Sequence, residues 1–205
     1  LQDLPNTISI VKKRSRDNGK TWSKAVTIAQ GDSVSGKTYG DPAIILDAKT
    51  NTLICIFSGD NGFWQATNTN RCGFYVSKST DNGETWSEPV NFADQIYRND
   101  WQGAFGASGK MLQLKHGEHA GRIMFVANAN TKAGNNWSTE YVGEFVIYTD
   151  DLGENWHVAN EVPPATSGNE SKLVELEDGT LIMSIRSHGN LVFSKSFDGG
   201  LTWSQ

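Results

Sequence analysis

One eight-residue pattern recurs four times in this 205-residue chain, and it limits the possible folds more than any other feature. Ser15-Arg16-Asp17-Asn18-Gly19-Lys20-Thr21-Trp22 is followed by Ser79-Thr80-Asp81-Asn82-Gly83-Glu84-Thr85-Trp86. A degenerate copy, Thr149-Asp150-Asp151-Leu152-Gly153-Glu154-Asn155-Trp156, precedes the last, Ser196-Phe197-Asp198-Gly199-Gly200-Leu201-Thr202-Trp203. Successive starts lie 64, 70 and 47 residues apart, as expected of one structural unit carrying insertions of different length. The Asp and Ser/Thr oxygens can accept N–H bonds that a tight turn leaves unpaired, and the Gly tolerates positive φ. The Trp anchors the turn by burying a large ring, worth about 4–6 kcal/mol at most.

Each copy follows a short β-rich run: Ile8-Ser9-Ile10-Val11, Gly73-Phe74-Tyr75-Val76, Phe145-Val146-Ile147-Tyr148 and Leu191-Val192-Phe193. Further strands are expected at residues 43–46, 52–57, 122–126, 172–176 and 180–185, and no segment keeps a helical period. The expected fold is therefore all-β, a propeller of repeated small sheets. The motifs themselves read as staples at the blade periphery and assign no activity.

The 18 basic and 23 acidic residues leave a net charge of −5, a surface that does not attract polyanions over distance, so nucleic acid is not an expected partner. An anionic substrate would need locally placed arginines. No apolar run has the length of a membrane span and no leader peptide opens the chain. Leu1-Gln2-Asp3-Leu4-Pro5 reads as the middle of a longer sequence. Two cysteines, Cys55 and Cys72, are too few for a disulfide framework and are expected as free thiols.

Three stretches look wrong for pure scaffold. Glu170, in Asn169-Glu170-Ser171, opens one strand and Arg186 closes the next, so an antiparallel hairpin brings both to one end of a sheet. The bland alternative is a surface ion pair. Gly40-Asp41-Pro42 places a carboxylate just before a buried strand. Gly59-Asp60-Asn61-Gly62-Phe63-Trp64-Gln65 carries two large aromatic residues in a polar connection, suited to the apolar faces of sugars unless they fold back onto their own sheet. His116-Gly117-Glu118-His119 reads as a solvated turn rather than a metal site. Asn136-Trp137-Ser138 and Asn169-Glu170-Ser171 both fit the glycosylation pattern, with no glycan expected on Asn169 beside Glu170.

With Asn-Glu-Ser leading into a hairpin that ends in Ser-Ile-Arg, the chain resembles a bacterial sialidase (neuraminidase) of glycoside hydrolase family 33. The resemblance spans residues 1–205 as a partial catalytic domain. It implies a six-bladed β-propeller with Asp-box repeats, about four of whose blades are present. It also implies that Asp3 is the acid/base, Glu170 the base that activates a nucleophilic tyrosine, and Arg186 one of three arginines holding the substrate carboxylate. Asp41 would contact a hydroxyl or the N-acyl region of the sugar, Phe57, Phe63 and Trp64 would line the acyl pocket, and Gln113 would reach the glycerol side chain. Ile8-Ser9 departs from the family's usual Ile-Asp.

The implied activity is retaining hydrolysis of terminal sialic acid from glycoconjugates, with no cofactor or metal, in a protein that is secreted or located at the cell surface or in the periplasm. A neutral tyrosine approaches an anionic sugar more readily than a carboxylate does. All five tyrosines precede Glu170, so the nucleophile and two arginines are expected from a longer parent. The isolated segment is accordingly expected neither to close a propeller nor to turn over sialosides. A trans-sialidase, or a sugar-binding propeller without turnover, are the alternatives; a sorting-receptor propeller would share only the turns.

Overall fold

A computed structural model describes residues 3–106, 110–131, 142–163, 169–187 and 191–204, with the Asn169 side chain excepted. Asn136-Trp137-Ser138 lies outside these residues. The described chain is almost entirely β. A first sheet pairs β1 (Ile10–Lys12) with β2 (Val26–Ala29). The second runs β3 (Tyr39–Asp47), β4 (Thr52–Asp60), β5 (Cys72–Ser79) and β6 (Val90–Asn91) in sequence order. One four-residue helix, α1 (Ala93–Ile96), follows. In the third sheet, β7 (Ala104–Gly106) and β8 (Leu112–Gln113) both pair with β9 (Ile123–Asn130), followed by β10 (Val142–Thr149) and β11 (His157–Glu161). The fourth is β12 (Asn169–Glu175), β13 (Leu181–Arg186) and β14 (Leu191–Ser196). All described pairings are antiparallel.

The sheets stack face on face because their central strands are apolar on both sides. In β9, Ile123, Phe125, Ala127 and Ala129 pack towards the second sheet with Ile54, Ile56 and Phe74. The alternate residues Met124 and Val126 pack towards the fourth with Leu181, Met183 and Ile185. A third cluster, with Ile10, Ala29, Tyr39, Cys55 and Phe57, joins the first sheet to the second. Cys55 and Cys72 are buried and free, and burial pushes their thiols up to about 12 and about 11.

The four turn motifs follow β1, β5, β10 and β14. The register places Ser79 opposite Leu53, Thr149 opposite Ile123 and Ser196 opposite Leu181. Arg186, by contrast, pairs with Leu191 and Asn169 at the other end of its sheet. The stack thus has a turn end and an opposite end, and the opposite end collects the candidate site. The His116–His119 turn stays at the turn end, where the Lys115 and His116 N–H groups donate to the Glu175 carboxylate at 2.7 and 3.0 Å.

Candidate active site

Two carboxylates owe their direction to bulges. The register shifts between Gly40 and Ala43 in β3, and between Asn169 and Lys172 in β12. Each is the first strand of its sheet, and an extra residue there re-aims the side chain beside it. Asp41 and Glu170 sit in these bulges at φ of 49° and 55°, a left-handed conformation that costs roughly 1–2 kcal/mol per non-glycine residue. Asp60, closing β4, has φ of 65°. The other described non-glycine residues with positive φ, Asn18, Asn51, Asn82 and Leu152, lie in turns at the far end.

Arg186 Nη1 donates to Glu170 Oε2, and both side chains remain more than half exposed. The Glu170 N–H donates to Asn128 Oδ1 on β9 at 3.3 Å. Desolvation pushes the Asp41 carboxyl up although its surface is open, and the Asp3 and Glu170 carboxylates push it the same way. Asp3, Asp41 and Glu170 therefore share one field although 167 residues separate the first from the last. Asp3 is exposed and accepts the Leu4 N–H at 2.8 Å. The segment it begins is strapped in place: the Leu4 side chain lies over Gly40, and any side chain at Gly62 would meet the Leu4 carbonyl oxygen at 2.8 Å.

The Phe63-Trp64 loop flanks this segment. Its rings stand edge to face at 4.6 Å, and Phe63 meets Phe105 the same way at 5.2 Å. Both residues are half-buried, so the loop partly folds back and partly presents aromatic surface. The Asn61 and Asn68 amides hold its base through bonds to Asn70, Arg71, Arg98, Asn99 and Trp101. A side chain at Gly103 would lie 1.9 Å from the Phe63 carbonyl oxygen, so only glycine allows the loop its approach to the third sheet.

Phe57 lies beside the Asp41 bulge but is buried, and Gln113 is placed elsewhere. Phe57 is a core residue facing the first sheet, stacked on Tyr75 at 5.9 Å and edge-on to Tyr39 at 5.3 Å. Gln113 is at the turn end: it pairs with Ile123, five residues along β9 from Asn128, roughly 17 Å away at the rise of a strand. Its amide donates to Asp47 Oδ1 at 2.7 Å, so it braces the β3–β4 turn instead of reaching the site. The geometry adds residues that sequence reasoning missed. Asp60 accepts the Tyr75 hydroxyl at 2.9 Å, and its burial pushes its acid up. Behind Glu170, Asn128 and Glu144 are both buried; the signal for Glu144 was a carboxylate inside the apolar run of β10.

Chemically, one end of the stack offers a guanidinium for a carboxylate ligand, one carboxylate beside it, two more from other parts of the chain, and an aromatic rim. Among the described residues, no group of three or more His, Cys, Asp or Glu side chains is placed to hold a metal ion. No described helix is long and apolar enough to cross a membrane.

The sequence is similar to a sialidase of Micromonospora viridifaciens, 30% identical over 97% of this chain and 31% of that protein. It is also similar to a sialidase of Clostridium perfringens, 31% identical over 96% of this chain and 52% of that protein. The chain thus spans about a third to a half of the length of these curated relatives. The Hadza microbial sialidase Hz136 superposes with a TM-score of 0.84 at 24% identity, over the whole of this chain and 41% of that one. The intramolecular trans-sialidase from Ruminococcus gnavus superposes with a TM-score of 0.81 at 18% identity, over the whole of this chain and 64% of that one. These neighbours are β-propellers, which makes the stack of sheets propeller-like. The model of the BNR repeat-like domain matches residues 5–205, and the chain belongs to that family.

Proposed function

We propose that this chain carries the acid, the base and part of the carboxylate-binding machinery of a retaining exo-α-sialidase acting on sialylated glycans outside the cell or at its surface. The observation that supports it most is convergence: Asp3, Asp41, Glu170 and Arg186, from three different parts of the sequence, meet at one end of the stack while every turn motif sits at the other. In this reading Arg186 releases Glu170 to hold the substrate carboxylate. Glu170 takes the proton of a tyrosine hydroxyl supplied by the rest of the protein, whose oxygen attacks the anomeric carbon as the glycosidic bond breaks. Asp3 protonates the leaving oxygen and then removes a proton from the water that frees the sugar, so configuration is retained. Asp41 and the Phe63-Trp64 rim contact the sugar and its acyl group.

Four sheets of a six-bladed propeller fit the chain. Val174, Leu191 and Phe193 on the fourth sheet, and Val11, Trp22 and Val26 on the first, leave apolar faces exposed, where two further blades would pack. The test is Glu170→Gln in the full-length protein with a fluorogenic sialoside. We expect kcat to fall by about a hundredfold or more with substrate binding largely kept; an unchanged kcat overturns the base role. Identifying the released sugar as free sialic acid, rather than an anhydro or transferred product, separates hydrolysis from transfer.

A further inference from the structure

Of the four charged residues gathered at the site, Asp41, Glu170 and Arg186 lie in strands and Asp3 does not. Residues 3–9 join no ladder, and the first strand starts only at Ile10. Leu4 rests over Gly40, beside the Asp41 bulge, but an apolar contact has no direction and does not aim a carboxyl. Hydrogen bonds through the backbone of the segment do. The Asn6 N–H and the Asn6 side-chain amide both donate to the Asp3 carbonyl, at 2.9 and 2.6 Å, and close a turn over residues 3–6. The Asn6 carbonyl accepts the Thr38 hydroxyl, and the same Thr38 Oγ1 accepts the Ile8 N–H at 3.2 Å.

Thr38 is a firm point from which to hold that segment. It is 2% exposed, and its own carbonyl accepts the Asp60 N–H at 3.1 Å, which ties its backbone to the end of β4. Beside it, the Tyr39 N–H donates to the Ile8 carbonyl at 3.2 Å. Bridging Asn6 and Ile8 takes one atom that donates to a carbonyl and accepts from an N–H, as a hydroxyl does. Valine has nearly the shape of threonine and can do neither. Against valine, the Asn6 carbonyl and the Ile8 N–H would lose their partner, a loss the segment recovers only by lifting towards water.

We infer that Thr38 is a positioning residue for Asp3: its hydroxyl clamps Asn6 and Ile8 and so holds the turn that presents Asp3 beside Asp41. This rests on the reading of Asp3 as the acid. Once the clamp is lost, Asp3 stands in place for only a fraction of the time, and a step that needs its proton slows by that fraction. A leaving group that departs without a proton is spared.

The experiment compares two substrates of the full-length protein: sialyllactose, whose sugar hydroxyl must be protonated as it leaves, and 4-nitrophenyl sialoside, whose phenolate need not be. The readout is kcat/KM, which covers the steps up to bond cleavage and leaves out the later use of Asp3 on water. Thr38→Val is expected to lower kcat/KM for sialyllactose roughly tenfold and for the nitrophenyl sialoside by less than about twofold. Thr38→Ser, which keeps the hydroxyl, restores sialyllactose turnover to within about twofold of wild type. Unchanged sialyllactose turnover in Thr38→Val overturns the inference. So does an equal loss on both substrates, or a loss in Thr38→Ser as large as in Thr38→Val. If Thr38→Val does not fold, Asn6→Ala decides on the same comparison, since the Asn6 side chain is exposed: a loss of about threefold confined to sialyllactose supports the clamp, and no loss overturns it. Asp3→Asn, impaired mainly on sialyllactose beside a fully active Thr38→Val, refutes positioning and leaves the acid reading standing; Asp3→Asn fully active on both substrates removes both.

Discussion

Burial pushes the Glu144 carboxyl from its ordinary value of 4.5 up to about 7, and this has a consequence for stability that is separate from catalysis. An acid whose folded pKa lies above its unfolded value binds its proton more tightly when folded. The stability it lends is complete below pH 4.5 and is lost as the pH rises to about 7. Glu144→Gln removes that dependence. Urea unfolding of the full-length wild type and Glu144→Gln proteins is expected to show the difference between them shifting by about 3 kcal/mol against wild type from pH 4.5 to about pH 8. A pH-independent difference would mean that Glu144 is not buried as an acid. The turn aspartates have the opposite sign. The Thr21 hydroxyl and N–H and the Ser15 hydroxyl hold Asp17 down to about 2, so its contribution is present at neutral pH and vanishes as pH falls through that range.

At the scale of the element, the repeated turn is a small closed hydrogen-bond system. In the last copy Asp198 accepts the Leu201 and Thr202 N–H groups at 3.0 Å, the Thr202 hydroxyl at 2.5 Å and the Ser196 hydroxyl at 2.8 Å. Gly199 and Gly200 follow at φ of 68° and 88°. Asp198→Ala leaves those N–H groups without their acceptor and is expected to cost about 2 kcal/mol. Asp94, whose side chain is 97% exposed and paired only with Arg71 among the described ion pairs, is the control: Asp94→Ala should leave the unfolding midpoint almost unmoved. The same residue types serve another end in the bulges of β3 and β12. There a left-handed carboxylate closes no turn and instead points out of the ladder.

Across the whole molecule, the turns also join neighbouring sheets. Trp86 packs at the junction of the first and second sheets, Trp156 between the second and third, and Trp203 between the third and fourth. Trp22 is 61% exposed, since no sheet precedes its own among the described residues. Arg122 fastens the third sheet to the fourth. Its guanidinium makes two 2.9 Å bonds to Asp150, donates to the Gly199 carbonyl at 3.0 Å and lies 4.1 Å over the Tyr148 ring. Arg122 is buried, and Arg122→Ala is expected to destabilise the protein by about 3 kcal/mol, read by urea unfolding. A change below about 0.5 kcal/mol would reduce the clamp to an ordinary surface pair.

Much of this was legible in one dimension because it depends on local chemistry. The turns follow from their own side chains, and the long strands β4, β9, β10 and β13 from apolar runs bounded by Gly and Asn. The pairing of Glu170 with Arg186 follows from a short hairpin that leaves one register. The short edge strands β2, β6, β7, β8 and β11 carry little apolar signal of their own, because they are held by pairing with a neighbour. Gln113 shows the limit: as a polar residue in a short strand it could face either end of the stack, and only the register of β8 on β9 put it beside Asp47. Phe57 went to the core because β4 is packed on both faces, so its alternation does not mark an open side. The meeting of Asp3, Asp41 and Glu170, and the burial of Glu144 behind Asn128, were decided by the stacking of sheets distant in sequence. Sequence alone determined the repeating unit and the hairpin pair; the tertiary structure decided which end of each unit became a site, since that depends on contacts no local segment encodes.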